Sequence, residues 1–363
     1  MLGNPKKVAV SAARMRLRRL WVKVHRWVGL SLGMVLLVAA ATGSAMLVAD
    51  PLDEALNEQL FRVPQVTTVN YRAVLSRLRG EIDQGVSLTL RPPRELGESF
   101  RAIVRGKWSG TIYLNPHTGE VLGRRGETYG VMGFLFTLHS SLFAGETGKA
   151  VLTLAALAYL FMLVTGVYLW WPSRWRDALT VRWTVGGLRA VFDWHRVTGA
   201  LFGMVVLVSV TSGAYMAWPP IAKSISALSG ASLTAPPKVT GAPPQDDIVA
   251  LAVQRAEDAY PGALVGYVQV PAKANQPIRV RLRLADDPHP NGLTSVWLDP
   301  VTAQVLQVNR WTELDPGTRA YSYIYPLHTG ELWGLPWMIV TFVSGVLLVA
   351  YAITGLLLWH RRR

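Results

Sequence analysis

The chain has 363 residues, half of them hydrophobic, with no cysteine and a formal charge of +14. The missing cysteines exclude disulfides, thiolate-held iron–sulfur clusters and covalently attached haem. The charge does not point to nucleic acid, because its excess is confined. Residues 1–26, 172–196 and 361–363 hold sixteen basic residues against two acidic ones, and the remainder balances.

In chain order, residues 1–26 are a basic tail with eight Lys or Arg and no acid. An uncharged run at 27–49 follows. It exceeds the apolar core of about 7–15 residues found in cleaved signals and is expected to be a first transmembrane helix. Residues 50–128 read as a small α+β module. It has helical spacing at 69–82, strand-like runs at 86–91, 100–105 and 110–114, the turn Asn115-Pro116-His117-Thr118-Gly119, and Glu120-Val121-Leu122. The segment 129–148 opens on a 16-residue uncharged stretch holding Gly130, Gly133 and His139. It is too short to cross about 30 Å of hydrocarbon and is expected to be interfacial or re-entrant.

A second uncharged run at 150–173, a basic loop at 174–196 and a third run at 197–222 come next. A linker at 223–245 is rich in Pro, Ser, Thr and Gly from residue 229. The second module, 246–310, repeats the first: helical spacing at 246–260, strand-like runs at 263–270, 278–284 and 294–298, the turn Asp299-Pro300-Val301-Thr302-Ala303, then Gln304-Val305-Leu306. The alternation Arg279-Val280-Arg281-Leu282-Arg283-Leu284 is the period of a strand buried on one face. A second interfacial segment at 311–336, a fourth uncharged run at 337–359 and the tail 360–363 close the chain. The fold expected is a membrane α-helical protein of four transmembrane helices with two small periplasmic α+β modules, internally duplicated. The positive-inside bias places both termini in the cytoplasm.

Two duplications run through the apolar parts. His25-Arg26-Trp27-Val28-Gly29 leads to Gly33-Met34-Val35, and His195-Arg196-Val197-Thr198-Gly199 leads to Gly203-Met204-Val205. Phe136-Thr137-Leu138-His139 precedes a run ending Thr165-Gly166, and Tyr325-Pro326-Leu327-His328 precedes one ending Thr354-Gly355. On a helix, Gly43 returns to the face of His25 after five turns, and Gly213 does the same for His195. His139 and Gly166, like His328 and Gly355, run in the opposite sense. This places His25 and His195 at an inner level with Gly166 and Gly355, and His139 and His328 at an outer level with Gly43 and Gly213.

Two imidazoles per level suit two b-type haems with paired histidine ligands. Imidazole also binds Zn, Cu or Ni, but two histidines without Cys, Asp or Glu make a poor tetrahedral site. Gly29, Gly43, Gly166, Gly199, Gly213 and Gly355 have two readings: space beside a porphyrin, or close packing of helices. Arg26 and Arg196 are candidates to pair with haem propionates or to anchor the inner surface. His360 is an interface residue or an alternative inner ligand, while His117 and His289 lie in turns and are expected to be solvated.

The helix, short strands and Asn/Asp-Pro-x-Thr turn resemble a PepSY module. With the His-Arg-x-x-Gly-x-x-x-Gly repeat and the Leu-His before the second and fourth runs, the chain resembles, over nearly its full length, the PepSY-associated transmembrane family of bacterial iron-regulated membrane proteins. That family includes dihaem reductases of ferric siderophores, and the chain looks close to that subgroup. The resemblance implies an inner-membrane oxidoreductase that passes electrons through two haems to a ferric siderophore in the periplasm and releases Fe(II). No Gly-x-Gly-x-x-Gly marks a nicotinamide or flavin fold, and Gly145-Glu146-Thr147-Gly148-Lys149 lacks the spacing of a phosphate loop. The electron donor is therefore expected to be a quinol, a cytoplasmic reductant or another protein. Trp311, Tyr321, Tyr323, Tyr325 and Trp333 are candidates for a docking surface or for an aromatic belt. Two other functions compete: a haem-free PepSY regulatory or ligand-binding membrane protein, which would be colourless, and a siderophore permease, for which four spans without a charge make a poor path.

Overall fold

The computed structural model describes residues 5–64, 68–83, 85–172 and 174–361, with side chains from residue 14 onward. Residues 1–4 of the basic tail, Ser173 at the end of the second uncharged run, and Arg362 and Arg363 lie outside the described residues. In chain order the elements are α1 (Pro5–Leu56), α2 (Glu58–Phe61), α3 (Tyr71–Glu81), β1 (Ser87–Arg91), β2 (Phe100–Arg105), β3 (Ser109–Leu114), β4 (Val121–Gly126), α4 (Gly130–Ser141) and α5 (Gly145–Trp170). They continue with α6 (Gly187–Ala217), α7 (Pro220–Leu228), α8 (Asp246–Ala259), β5 (Leu264–Val270), β6 (Ile278–Arg283), β7 (Thr294–Leu298), β8 (Val305–Asn309), α9 (Pro316–Thr329) and α10 (Leu335–His360). The chain divides into a helical unit of Met1–Ala45, Leu138–Trp218 and Leu335–Arg363, and a sheet unit of Met46–Thr137 and Pro219–Gly334.

Four helices, α1, α5, α6 and α10, are long and apolar enough to cross a membrane. The shortest of these, at 26 residues, reaches about 39 Å at roughly 1.5 Å per residue, enough for about 30 Å of hydrocarbon. Leu36, Ala40, Ala155, Tyr159, Val206 and Leu348 pack together at their centre. The Tyr159 hydroxyl donates to the Gly203 carbonyl at 3.2 Å and ties α5 to α6.

The helices differ from the uncharged runs at their ends. The first and third runs begin at 27 and 197, yet α1 begins at Pro5 and α6 at Gly187. His25 and His195 therefore lie inside long helices rather than opening them. Hydropathy marks what contacts hydrocarbon, whereas a helix continues while its backbone bonds do, and Arg, Lys, Leu and Met before His25 all favour helix. The third run was also expected to reach residue 222, but α6 stops at Ala217 before Pro219-Pro220, whose rings cannot continue a helix. Part of the expected linker is α7, which starts on Pro220.

In the sheet unit the two expected modules form one structure. The eight strands make a single sheet in the order β4-β3-β2-β1-β5-β6-β7-β8. Its seam is the antiparallel pairing of β1 with β5, in which Leu88 faces Val270, Thr89 faces Gln269 and Leu90 faces Val268. The two segments read as modules from the sequence join edge to edge, for a physical reason. Apart, β1 and β5 would each expose an edge of unpaired backbone groups; paired, they remove both edges. One core runs beneath the seam, from Val74, Leu75 and Leu78 of α3 to Val249, Ala252 and Val253 of α8. Arg79 and Arg72 of α3 bridge to Asp246 and Asp247 of α8 at 2.5 and 2.6 Å. The two turns read from the sequence form as Asx turns. Asn115 Oδ1 accepts from the amides of His117 and Thr118, and Asp299 Oδ1 from those of Val301 and Thr302.

Candidate functional site

The helical unit encloses a cavity of about 310 Å³ lined from all four long helices. Eight candidates from the sequence line it: His25, Arg26 and Gly29 of α1, Gly166 of α5, His195, Arg196 and Gly199 of α6, and Gly355 of α10. Apart from these the walls are largely apolar, including Leu36, Met162, Leu163 and Leu348.

Each cavity histidine is held by a threonine on the facing helix. His25 Nδ1 lies 2.8 Å from Thr165 Oγ1, and His195 Nδ1 lies 2.7 Å from Thr354 Oγ1. The threonine protons are already engaged: Thr165 donates to the Met162 carbonyl at 3.0 Å and Thr354 to the Ala350 carbonyl at 2.7 Å. Each hydroxyl oxygen must therefore accept from the imidazole. That assigns the proton to Nδ1 and leaves the lone pair on Nε2. His25 also has a backbone hydrogen bond to Met162, while His195 Nε2 has no hydrogen-bond partner among the described residues. The threonines precede Gly166 and Gly355 in the repeated sequence, but spacing alone gave them no role. They are the functional candidates that sequence reasoning missed.

The glycines separate into the two kinds left open by the sequence. A Cβ at Gly199 or Gly33 would meet no atom within 4 Å. At Gly166 it would lie 3.5 Å from His25 Cε1, at Gly355 4.0 Å from His195 Cε1, and at Gly29 3.4 Å from Met162 Sδ. These glycines border open or lightly filled space. Gly203 and Gly345 are packing glycines, since a Cβ would run into Leu163 and into Ser44 respectively.

Arg196 is fixed from the side away from the cavity. Asp193, fully buried, receives Arg182 Nε at 2.9 Å, Arg189 Nε at 3.1 Å and Arg196 Nη2 at 3.7 Å. Arg196 Nη2 also donates to the Thr180 carbonyl at 3.2 Å, while its Nε is buried with no acceptor. Arg26 is exposed. His360 is exposed at the end of α10 and does not line the cavity.

Of the other expected level, His139 at the end of α4 belongs to the helical unit, with Gly43 and Gly213, and His328 on α9 to the sheet unit. His139 Nδ1 donates to the Ala39 carbonyl at 2.8 Å, which again leaves the lone pair on Nε2. Gly43 leaves room for that ring, because a Cβ there would come within 2.8 Å of His139 Cε1. His117 is exposed, but His289 is 2 % exposed. The expectation of a solvated His289 is corrected: the loop between β6 and β7 folds it inward.

The donor chemistry, two imidazoles among apolar walls, is of the kind that would hold a haem. Two imidazoles, each tied to a threonine through Nδ1, line one apolar, glycine-bordered space. Among the described residues no cluster of three or more His, Cys, Asp or Glu is placed to hold a bare ion. The family assigned to the PepSY-associated TM region matches residues 22–362. The chain belongs to that family. Among curated proteins none matches it. Membership and the four long helices together fit a PepSY-associated membrane helical protein, and every residue lining the cavity except Arg18 lies within the matched region.

Proposed function

We propose that this PepSY-associated protein is a haem-bearing reductase of the bacterial inner membrane, carrying electrons outward to a ferric siderophore and releasing Fe(II). The observation that supports it is the pair of imidazoles in one cavity, each with Nδ1 bound to a threonine. His25 and His195 would ligate the iron. Bound there, haem would supply one-electron redox chemistry.

The chain's own residues do the rest. Thr165 and Thr354 accept the Nδ1 protons, which fixes ring orientation and raises ligand basicity. The apolar walls keep water away, and burial of that kind tunes a redox potential. Gly166, Gly199 and Gly355 leave room. The orphaned Arg196 Nε, with Arg26, supplies donors for carboxylates at the cavity mouth. Cytoplasmic termini, a quinol or cytoplasmic electron donor, and a second haem complete the proposal; these rest on the sequence pattern.

A visible spectrum of the purified protein, with haem counted per chain, tests this. A Soret band is expected, and His25→Ala and His195→Ala should each remove the same one of two haems. A colourless protein from haem-replete cells would sink the proposal and favour the haem-free regulatory reading.

A further inference from the structure

The sheet unit holds a second cluster, built on the face of the sheet opposite α3 and α8. Tyr267 of β5 pairs with Arg281 of β6, whose neighbours along the strand, Val280 and Leu282, are fully buried in the core. Arg281 and Arg94, the latter from the loop between β1 and β2, each place a guanidinium carbon 6.0 Å from the centroid of the Tyr267 ring. His289 stacks on Tyr325 of α9, ring centroids 4.5 Å apart, and on Tyr321 at 5.6 Å.

The loop Asp287–Leu293 holds this arrangement in place. The Asp287 carboxylate accepts from the amides of His289 and Leu293 at 3.0 and 2.6 Å. Arg94 Nη2 donates to the Asn291 side-chain oxygen, and Arg281 Nη2 to the Gly292 carbonyl. The loop sits directly on a bulge in β5. A Cβ on Gly266 there would collide with the Asn291 carbonyl. Pro288 and Pro290 flank His289 and restrict the loop further.

His289 has an assignable tautomer. The Asn291 amide donates to its Nδ1 at 3.0 Å, so Nδ1 carries the lone pair and Nε2 carries the proton. Burial, with Arg281, Arg94 and Arg283 nearby, pushes this imidazole down to about 3, so it is neutral at ordinary pH. Its Nε2–H is buried with no acceptor, and so are Arg94 Nε and Arg281 Nε.

All three orphaned groups are donors. A buried donor left unmade costs about 1–3 kcal/mol, more when charged, and these three sit on side chains that share the Tyr267 ring and the Asp287–Leu293 loop. The local acids do not provide an acceptor. Asp287 is occupied by the loop amides, and Glu98 by Arg101 and the Arg94 amide. Glu331 acts on Arg94 at longer range. A water would bring oxygen without charge, whereas an oxyanion brings several lone pairs and a negative charge toward the two guanidinium groups.

We infer that His289 Nε2–H, Arg94 and Arg281, walled by Tyr267, Tyr321 and Tyr325, form a binding site for an oxyanion of the carboxylate or phosphate class. The site uses nothing from the helical cavity and does not depend on haem.

The test is calorimetric titration of the full-length protein in uncharged detergent, at ionic strength fixed with chloride. Citrate is titrated in one arm and inorganic phosphate in the other. Saturable binding of at least one is expected; citrate alone assigns an organic acid, phosphate alone a phosphate or its ester. Arg94→Gln and His289→Phe should weaken that binding about tenfold or more, as expected for a lost hydrogen bond to an anion. Arg72→Gln, on α3 and outside the cluster, should leave it unchanged. Arg94 lies in a half-exposed loop, so its variant stands as the test should His289→Phe fail to fold. Absence of saturable binding in both arms, or wild-type affinity in Arg94→Gln, overturns the inference.

Discussion

Thr165 and Thr354 decide which nitrogen each cavity histidine offers. With Thr165→Val the His25 Nδ1–H loses its side-chain acceptor, and the ring's remaining hydrogen bond is to the Met162 backbone. Nitrogen NMR of histidine-labelled protein should show His25 leaving the Nδ1–H form in Thr165→Val and keeping it in Thr165→Ser. In the pigmented protein the same valine should weaken haem retention by roughly 10–100-fold, the usual effect of removing a group that orients a metal ligand. An unchanged tautomer would remove the threonine's positioning role. Glycine substitutions separate the two glycine readings by size. Gly166→Ala places a Cβ at ordinary contact distance and should keep pigment, whereas Gly166→Leu should exclude it. If both retain full pigment, the space beside His25 is not used. The repeated sequence exposed the histidines and glycines because spacing is a sequence property. It hid the threonines and His289, because which hydrogen bonds are already made is decided by packing between distant elements.

At the scale of elements, α9 shows what a cap contributes. Asp315 is its N-cap and accepts from Thr318 N at 3.1 Å, from Thr234 N at 3.2 Å and from the Ser226 hydroxyl. Burial alone would push this carboxyl up, but those hydrogen bonds outweigh it and hold it well below the usual carboxylate range. A pKa lowered by folding adds stability that is present above the unfolded value of 3.8 and is lost as the pH falls below it. Asp315→Ala should therefore cost about 1–3 kcal/mol at neutral pH and flatten the acid limb of the melting curve. An acid limb identical to that of the parent would refute this. The turn between α4 and α5 is tighter still: Leu142 and Phe143 adopt φ of 51° and 56°, and Gly148 lies against the Ser141 carbonyl with no room for a Cβ. Helices and strands were legible in the sequence to within a few residues in the sheet unit, where turns punctuate them. The starts of α1 and α6 were not, because nothing polar stops a helix that leaves hydrocarbon for water.

Across the whole molecule, the sheet unit should respond as one body, because its core and ladder cross the β1–β5 seam without interruption. Thr89→Pro removes a donor from a strand paired on both sides. Amide exchange should accelerate in β6 and β7 as well as in β2 and β3. Acceleration confined to β1–β4 would mean the halves open separately. This unity was not legible in the sequence. Periodicity shows that a segment is a strand but not which strand lies beside it, and the two partners are separated by more than 170 residues.

The seam also constrains how this architecture can be recombined. A chimaera that takes residues before the third long helix from one relative and the rest from another must supply matching faces at Leu88, Leu90, Val268 and Val270. Donors differing in side-chain volume there would yield a protein with intact long helices and a misfolded sheet unit, so exchange between lineages should preserve these four positions as a block.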